Sequence, residues 1–162
     1  MATEELDPSG DGSVVTWTPT EATHWQSIDD AVRQPDDPGA ETYISTSGPA
    51  AHTDEITIEA GALTSITQAV VWVSGKTLGA TATVDISFDG GSSYTGSPQG
   101  LGLGGSQGWV NLTFAGLDET NSKTIEIKFV QAGLATITLC EAYVVVTGTA
   151  AAGQFMRMNK YW

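Results

Sequence analysis

Residues 7–12, "DPSGDG", set side-chain oxygens at alternate positions and a glycine at the sixth, which is how a calcium loop begins. Such a loop needs a carboxylate at its twelfth position, and counted from Asp7 that position is Thr18. Pro8 and the strand-like "VVTWT" (14–18) also remove the flanking helices. The stretch is therefore expected to be a turn, since Pro, Ser, Gly and Asp each favour turns for separate backbone reasons. No metal site and no cofactor is expected.

Acid–base or nucleophilic chemistry has few candidates. His24 and His52 are the two histidines, and neither stands in a catalytic motif. His52 is expected in a solvated loop, and His24, beside Trp25, as a packing or hydrogen-bonding residue. Cys140 is the single cysteine, so no intramolecular disulfide can form. Its place in "TITLCEAYVVV" puts it on a strand as a buried structural residue rather than a nucleophile. The glycines of 100–108 have G-x-G spacing but no strand–helix context for phosphate binding. The adjacent acids at 29–30, 36–37 and 54–55 are expected to be solvated, and catalysis is not expected. Carbohydrate stacking would need exposed aromatics. Of the three candidates, Trp72 inside "AVVWV" is expected in the core, Trp109 half-exposed at a strand start, and Tyr94 in a glycine-rich loop.

The elements that would position these residues are strands. Alternation of apolar and polar residues predicts them at 14–18, 42–46 and 54–60, then at 65–75 and 80–90 as a hairpin around "KTLG" (76–79). Val84, Ile86 and Phe88 should face one way, and Asp85, Ser87 and Asp89 the other. Residues 89–108 are rich in Gly, Ser and Gln and are expected as an exposed hairpin end and mobile loop. Three further strands follow at 108–117, 123–131 and 135–148. The segment 21–32 permits one helical turn or an extended arm. The predicted fold is all-β: an antiparallel, jelly-roll-like β-sandwich, with a closed barrel as the structural alternative.

The totals agree with one domain of that kind. The chain has 162 residues, 19 of them glycine, and charged residues make up only 15%. Its 19 acids outweigh 6 basic residues for a net charge of -13, a field that repels phosphate backbones and anionic lipid headgroups. No nucleic-acid or membrane partner is expected. The start lacks the succession of a signal peptide and no apolar run is long enough to span a bilayer, so synthesis in the cytoplasm is expected.

The two ends differ from the middle. Residues 1–32 are expected as an N-terminal arm or turn-rich lead-in, 33–150 as the sandwich, and 151–162 as an extended tail. The last ten residues hold two of the six basic residues, two of the three methionines and three aromatics. Such a segment needs a surface to lie on.

The first 75 residues also carry a resemblance. Pro8, Gly10 and Asp11, then Trp17-Thr18, Trp25, Ile28-Asp29-Asp30, Asp36-Asp37 and Tyr43-Ile44 are similar to a pattern in structural proteins of tailed bacteriophages, with "PGAE" (38–41) as an insertion. What this resemblance implies is a virion component, most like a capsid decoration (auxiliary or cement) protein on the capsid exterior. It would be a homo-oligomer, trimer favoured, that binds the major capsid protein and stabilises the shell by mass action. The contact residues implied are Trp17, His24 and Trp25 in the arm and Phe155, Met156, Arg157, Met158, Tyr161 and Trp162 in the tail. A carbohydrate- or receptor-binding module and a filament-forming protein are the alternatives.

Overall fold

The structure, a computed structural model, describes residues 1–28, 42–47, 51–79, 81–120, 124–132 and 136–150. Eleven strands form among them: β1 (Ala2–Leu6), β2 (Pro8–Val15), β3 (Thr18–Pro19), β4 (Ile44–Thr46), β5 (His52–Ile58), β6 (Leu63–Thr77), β7 (Thr81–Ser87), β8 (Gln99–Gly100), β9 (Gly108–Thr120), β10 (Ile125–Ala132) and β11 (Ile137–Ala150). A 3-10 turn at Trp25–Ser27 is the one helical element among the described residues. All strand pairs are antiparallel, in two sheets. One runs β3-β4-β11-β6-β9 with β1 also paired to β11, and the other runs β2-β5-β10-β7-β8. This is the antiparallel β-sandwich that the alternation predicts.

The core is the slab between the sheets, supplied by every second residue. From the five-stranded sheet come Ile56, Ile58, Val84, Ile86, Ile127 and Phe129, and from the six-stranded sheet Ala69, Val71, Val73, Phe114, Val144 and Val146, all buried. Each large apolar side chain withdrawn from water in this way contributes about 1.5–3 kcal/mol. Val84, Ile86 and Phe88 are inside as expected.

Two expectations about connectivity are corrected. Strands β6 and β7 form no hairpin: β6 lies between β11 and β9, and β7 lies between β10 and β8. "KTLG" bends the chain from one sheet to the other, held by Thr77 N–H donating to Gly104 O and Leu78 N–H donating to Thr136 O. A turn signal fixes a bend but not a partner, and the long ladders of β6 with β11 and β9 decide the pairing.

Nor is the lead-in an arm. Strand β1 pairs with β11 from Ala2↔Gly148 to Leu6↔Val144, and β2 forms the edge of the other sheet against β5. The "DPSGDG" stretch is thus extended rather than a turn. Its edge position tolerates Pro8, whose missing N–H faces no partner strand. Gly12 is required there, because a Cβ at this position would lie 2.4 Å from Glu55 Cβ.

The glycine-rich stretch 89–108 is anchored at several points. The Asp89 carboxylate accepts from Ser93 N–H (2.8 Å), Ser93 Oγ (2.6 Å) and Ser87 Oγ (2.7 Å). These bonds, led by the Ser93 hydroxyl, hold its pKa down to about 2. Leu101 is buried, with its N–H on Ala82 O.

Phe129 lies at the centre of β10, fully buried, with its ring 6.3 Å from that of Trp17. Phe129→Ala is expected to lower the unfolding free energy by about 3–5 kcal/mol with the denaturant slope unchanged, as read from urea titration.

Candidate functional site

The outer face of the six-stranded sheet carries a cluster of three aromatic side chains. Trp72 on β6 is paired with Tyr143 on β11, and their rings are parallel (3°) with centroids 6.0 Å apart. Trp109 on β9 meets Tyr143 edge-on, at 5.6 Å and 66°. Strand β6 separates β9 from β11, so this contact needs a small residue beneath it. Ser74, the partner of Trp109 in the ladder, is that residue and is fully buried.

The facing of Tyr143 depends on an irregularity. Leu139 pairs with Gly75 and Glu141 with Ser74, so β11 spends two steps where β6 spends one, and Cys140 is the extra residue. Ile137 and Leu139 before it, and Ala142, Val144 and Val146 after it, all point inward. Unbroken alternation from Ile137 would have sent Glu141 and Tyr143 into the core instead. Cys140 itself is buried.

Around the rings stand groups suited to hydroxyl recognition. Asn111 pairs with Trp72 and is exposed, and Thr113 is exposed two residues further along β9. Val70 and Val145, half-buried, extend the apolar strip. Gln107 Nε2 donates to Ser74 Oγ at 2.6 Å beside Trp109. Aromatic faces with nearby amides and hydroxyls can hold a ligand that has both apolar C–H faces and a hydroxyl rim.

The opposite outer face is charged and engaged with itself. In one register row Lys128 lies between Glu55 and Asp85, with Glu126 two residues along β10. All three acids are buried, yet each has donors. Glu55 accepts from Ser13 Oγ (2.7 Å) and Val14 N–H (2.9 Å), Asp85 accepts from Thr95 Oγ1 and Gly96 N–H, and Glu126 accepts from Tyr94 Oη (2.5 Å). The Tyr94 ring covers Lys128, whose Nζ is 3.5 Å from the centroid. Burial, then the Glu126 carboxylate, raises the Tyr94 hydroxyl pKa well above that of a free phenol. Tyr94 therefore acts as a cover over a charge row, not as part of a stacking platform.

Residues 17–28 close the seam between the sheets. His24 Nδ1 lies 2.9 Å from both carboxylate oxygens of Asp54, and Trp17 N–H donates to Asp54 Oδ1 at 3.3 Å. Trp25 N–H donates to Asp11 Oδ1 (2.9 Å), and Ile28 O accepts from Ala142 N–H (3.1 Å) on the other sheet. Burial raises Asp54 to about 6 and the Asp11 charge adds to this, opposed by His24 and the Trp17 N–H. The folded chain thus holds the Asp54 proton more tightly than the unfolded chain does. This contribution to stability is complete below pH 3.8 and is lost as pH rises to about 6. Relative to Asp54→Asn, the wild type is expected to lose stability by up to about 3 kcal/mol across that window and to run parallel above it, as read from denaturation at fixed pH steps.

The sequence-predicted site residues fall in two groups. Trp17 and His24 are 3% and 8% exposed and Trp25 packs on the core, so the first two are used inside the fold and do not form an outward contact. The reason is the buried Asp54, which needs donors and takes them from this segment. Phe155, Met156, Arg157, Met158, Tyr161 and Trp162 lie outside the described residues. His52 begins β5 rather than sitting in a loop. Trp72, expected in the core, faces outward, and Tyr143 was not singled out in the sequence at all. A signal for it existed: the pair Cys140-Glu141 interrupts the apolar alternation. Among the described residues no three of His, Cys, Asp and Glu converge as metal ligands.

No protein-family model and no curated protein matches the sequence. Among solved structures the chain is similar to the enzymatically active domain of tailspike protein 4 of bacteriophage CBA120, at 17% identity and a TM-score of 0.53. That match covers 90% of this chain and 19% of the tailspike chain, so this chain spans about a fifth of its length. It is also similar to a family 4 carbohydrate-binding module, at 15% identity and a TM-score of 0.49, covering 88% of this chain and 85% of that one. A third similarity is to a carbohydrate-binding module of Cellvibrio mixtus lichenase 5A in complex with cellotriose, at 12% identity and a TM-score of 0.44, covering 88% and 95%. At 17% identity the likeness to the tailspike domain is one of fold alone.

Proposed function

We propose that the chain is a non-catalytic carbohydrate-binding β-sandwich module that takes glycans on the outer face of its six-stranded sheet. The observation that carries this reading is the Trp109–Tyr143–Trp72 cluster, set on a rigid sheet and bordered by Asn111, Thr113 and Gln107. The C–H faces of sugar rings stack on aromatic rings while amides and hydroxyls meet the sugar hydroxyls. Several of the described groups that could do chemistry elsewhere are already committed. His24 is tied to Asp54, and Glu55, Asp85 and Glu126 are engaged by Ser13, Thr95 and Tyr94.

Titration of tryptophan fluorescence with soluble glycans tests the reading. At least one glycan is expected to change the emission of the wild type, and Trp72→Ala or Tyr143→Ala to weaken its binding about 10-fold or more, as for a central interface aromatic. Both side chains are half-buried on the outer face, so the melting temperature should move little. If no glycan elicits a response, the reading fails. If instead Trp72→Ala alters only the sedimentation of the protein, a second copy of the chain occupies the face.

The resemblance of the first 75 residues to tailed-phage structural proteins supports a second reading, which concerns setting. The chain would be made in a host cytoplasm and carried on the exterior of a virion, as an oligomer attached to the major capsid protein. With Trp17 and His24 buried, the attachment would rest on Phe155, Met156, Arg157, Met158, Tyr161 and Trp162. Deletion after Gly153 is expected to abolish capsid binding, and a shortened protein that still binds capsids and assembles as before rules out the tail as the anchor.

A further inference from the structure

We infer that the glycan taken by the aromatic face is uncharged, a neutral polysaccharide, and that chains bearing carboxylate, sulfate or phosphate are rejected. This rests on the carbohydrate reading above and adds the chemical class of the ligand.

The inference comes from which charges the fold places on which side. The chain has a net charge of -13, and Lys76 and Lys128 are its only Lys or Arg among the described residues. Lys128 is on the opposite sheet, under the Tyr94 ring and between Glu55 and Asp85, so it is not available to a ligand on the aromatic face. Lys76 follows Trp72 and Ser74 in the alternation of β6 and is the one lysine or arginine on their side among the described residues. Acids stand closer to the aromatics. Glu141 is the residue of β11 paired with Ser74, one row from Tyr143. Glu5 of β1 is exposed opposite Val145, one outward position beyond Tyr143.

Proteins hold anionic groups with paired guanidinium donors, with lysines or with helix N-termini. Apart from Lys76 the described residues of this face offer none of these. The exposed groups beside Trp72 on β9 are neutral, the amide of Asn111 and the hydroxyl of Thr113, which both donate to and accept from hydroxyls. An anionic chain would therefore meet a repulsive field offset, among the described residues, by Lys76 alone, whereas a neutral chain would be indifferent to it.

Matched pairs of polymers on one backbone isolate the charge. Hydroxyethylcellulose beside carboxymethylcellulose, dextran beside carboxymethyldextran, and a neutral galactan beside a polygalacturonate serve as probes, with tryptophan fluorescence of the whole protein as the readout. For a pair that binds, the neutral member is expected to bind about 10-fold more tightly at low salt, and the gap to close to within about 3-fold at 1 M salt, where the Debye length is about 3 Å. Asn111→Lys, which sets a cation beside Trp72, is expected to narrow the low-salt gap severalfold. An anionic member that binds the wild type at low salt as tightly as its neutral partner overturns the charge inference and leaves the carbohydrate reading standing. So does a gap that ignores both salt and Asn111→Lys. If no polymer of any pair binds, the carbohydrate reading itself falls, and the inference with it.

Discussion

Side chains of a strand alternate between two faces, so one residue too many at Cys140 reverses the facing of everything beyond it in β11. Upstream, Ile137 and Leu139 belong to the core. Downstream, Ala142, Val144 and Val146 take over that role, and Tyr143 passes to the solvent side beside Trp72. Since β1 pairs with β11 beyond the bulge, the same bulge sets which residues of β1 can close the slab, Ala2 and Leu6, while Ile44 of β4 is set by Leu139 before it. The aromatic cluster is thus a by-product of register, and it is rigid because register is enforced along both edges of the strand.

The two outer faces solve different problems. On the five-stranded sheet, carboxylates stand close together in a chain already strongly acidic, and each is supplied with donors, from edge strand β2, from the 93–96 segment or from Tyr94. That supply also fixes the loops, which accounts for a glycine- and serine-rich segment having defined anchor points. On the six-stranded sheet the surface is mostly apolar or amide-bearing, and its aromatics contact one another instead of a buried core. One face is saturated internally, while the other keeps ring surface and hydrogen-bonding groups at its margin.

Much of the fold was legible because β-sandwich strands write a period of two into the sequence. The strands at 54–60, 65–75, 80–90, 108–117, 123–131 and 135–148 correspond to β5, β6, β7, β9, β10 and β11 within a few residues. What was not legible has identifiable causes. Strand β2 begins with Pro8 and carries two glycines, a composition that signals a turn and is tolerated only because β2 is an edge. The burial of His24 follows from Asp54, thirty residues away, and nothing local announces that partnership. Trp72 lies in an unbroken apolar run, where a core position and an outward one look alike. Tyr143 was hidden by the bulge, since a shift of register is visible in hydrogen bonds and almost silent in composition.

The pairing of the first strand with the last has a consequence for the order of events in synthesis. Ala2 lies against Gly148, and β1, β4 and β6 all hydrogen-bond to the same β11. While the chain is being made, these three strands have no common partner until residues 137–150 have emerged. In the other sheet β5 and β7 wait in the same way for β10. Closing a loop of roughly 140 residues costs little more than closing one of half the length, so the final ladder is not prohibitive, only late. Until it forms, apolar stretches such as 69–73 have only β9 to pair with, and their other edge is open to pairing with other chains. The domain therefore folds as a unit once residues 137–150 are available, with the non-local topology that makes β-sandwiches slow.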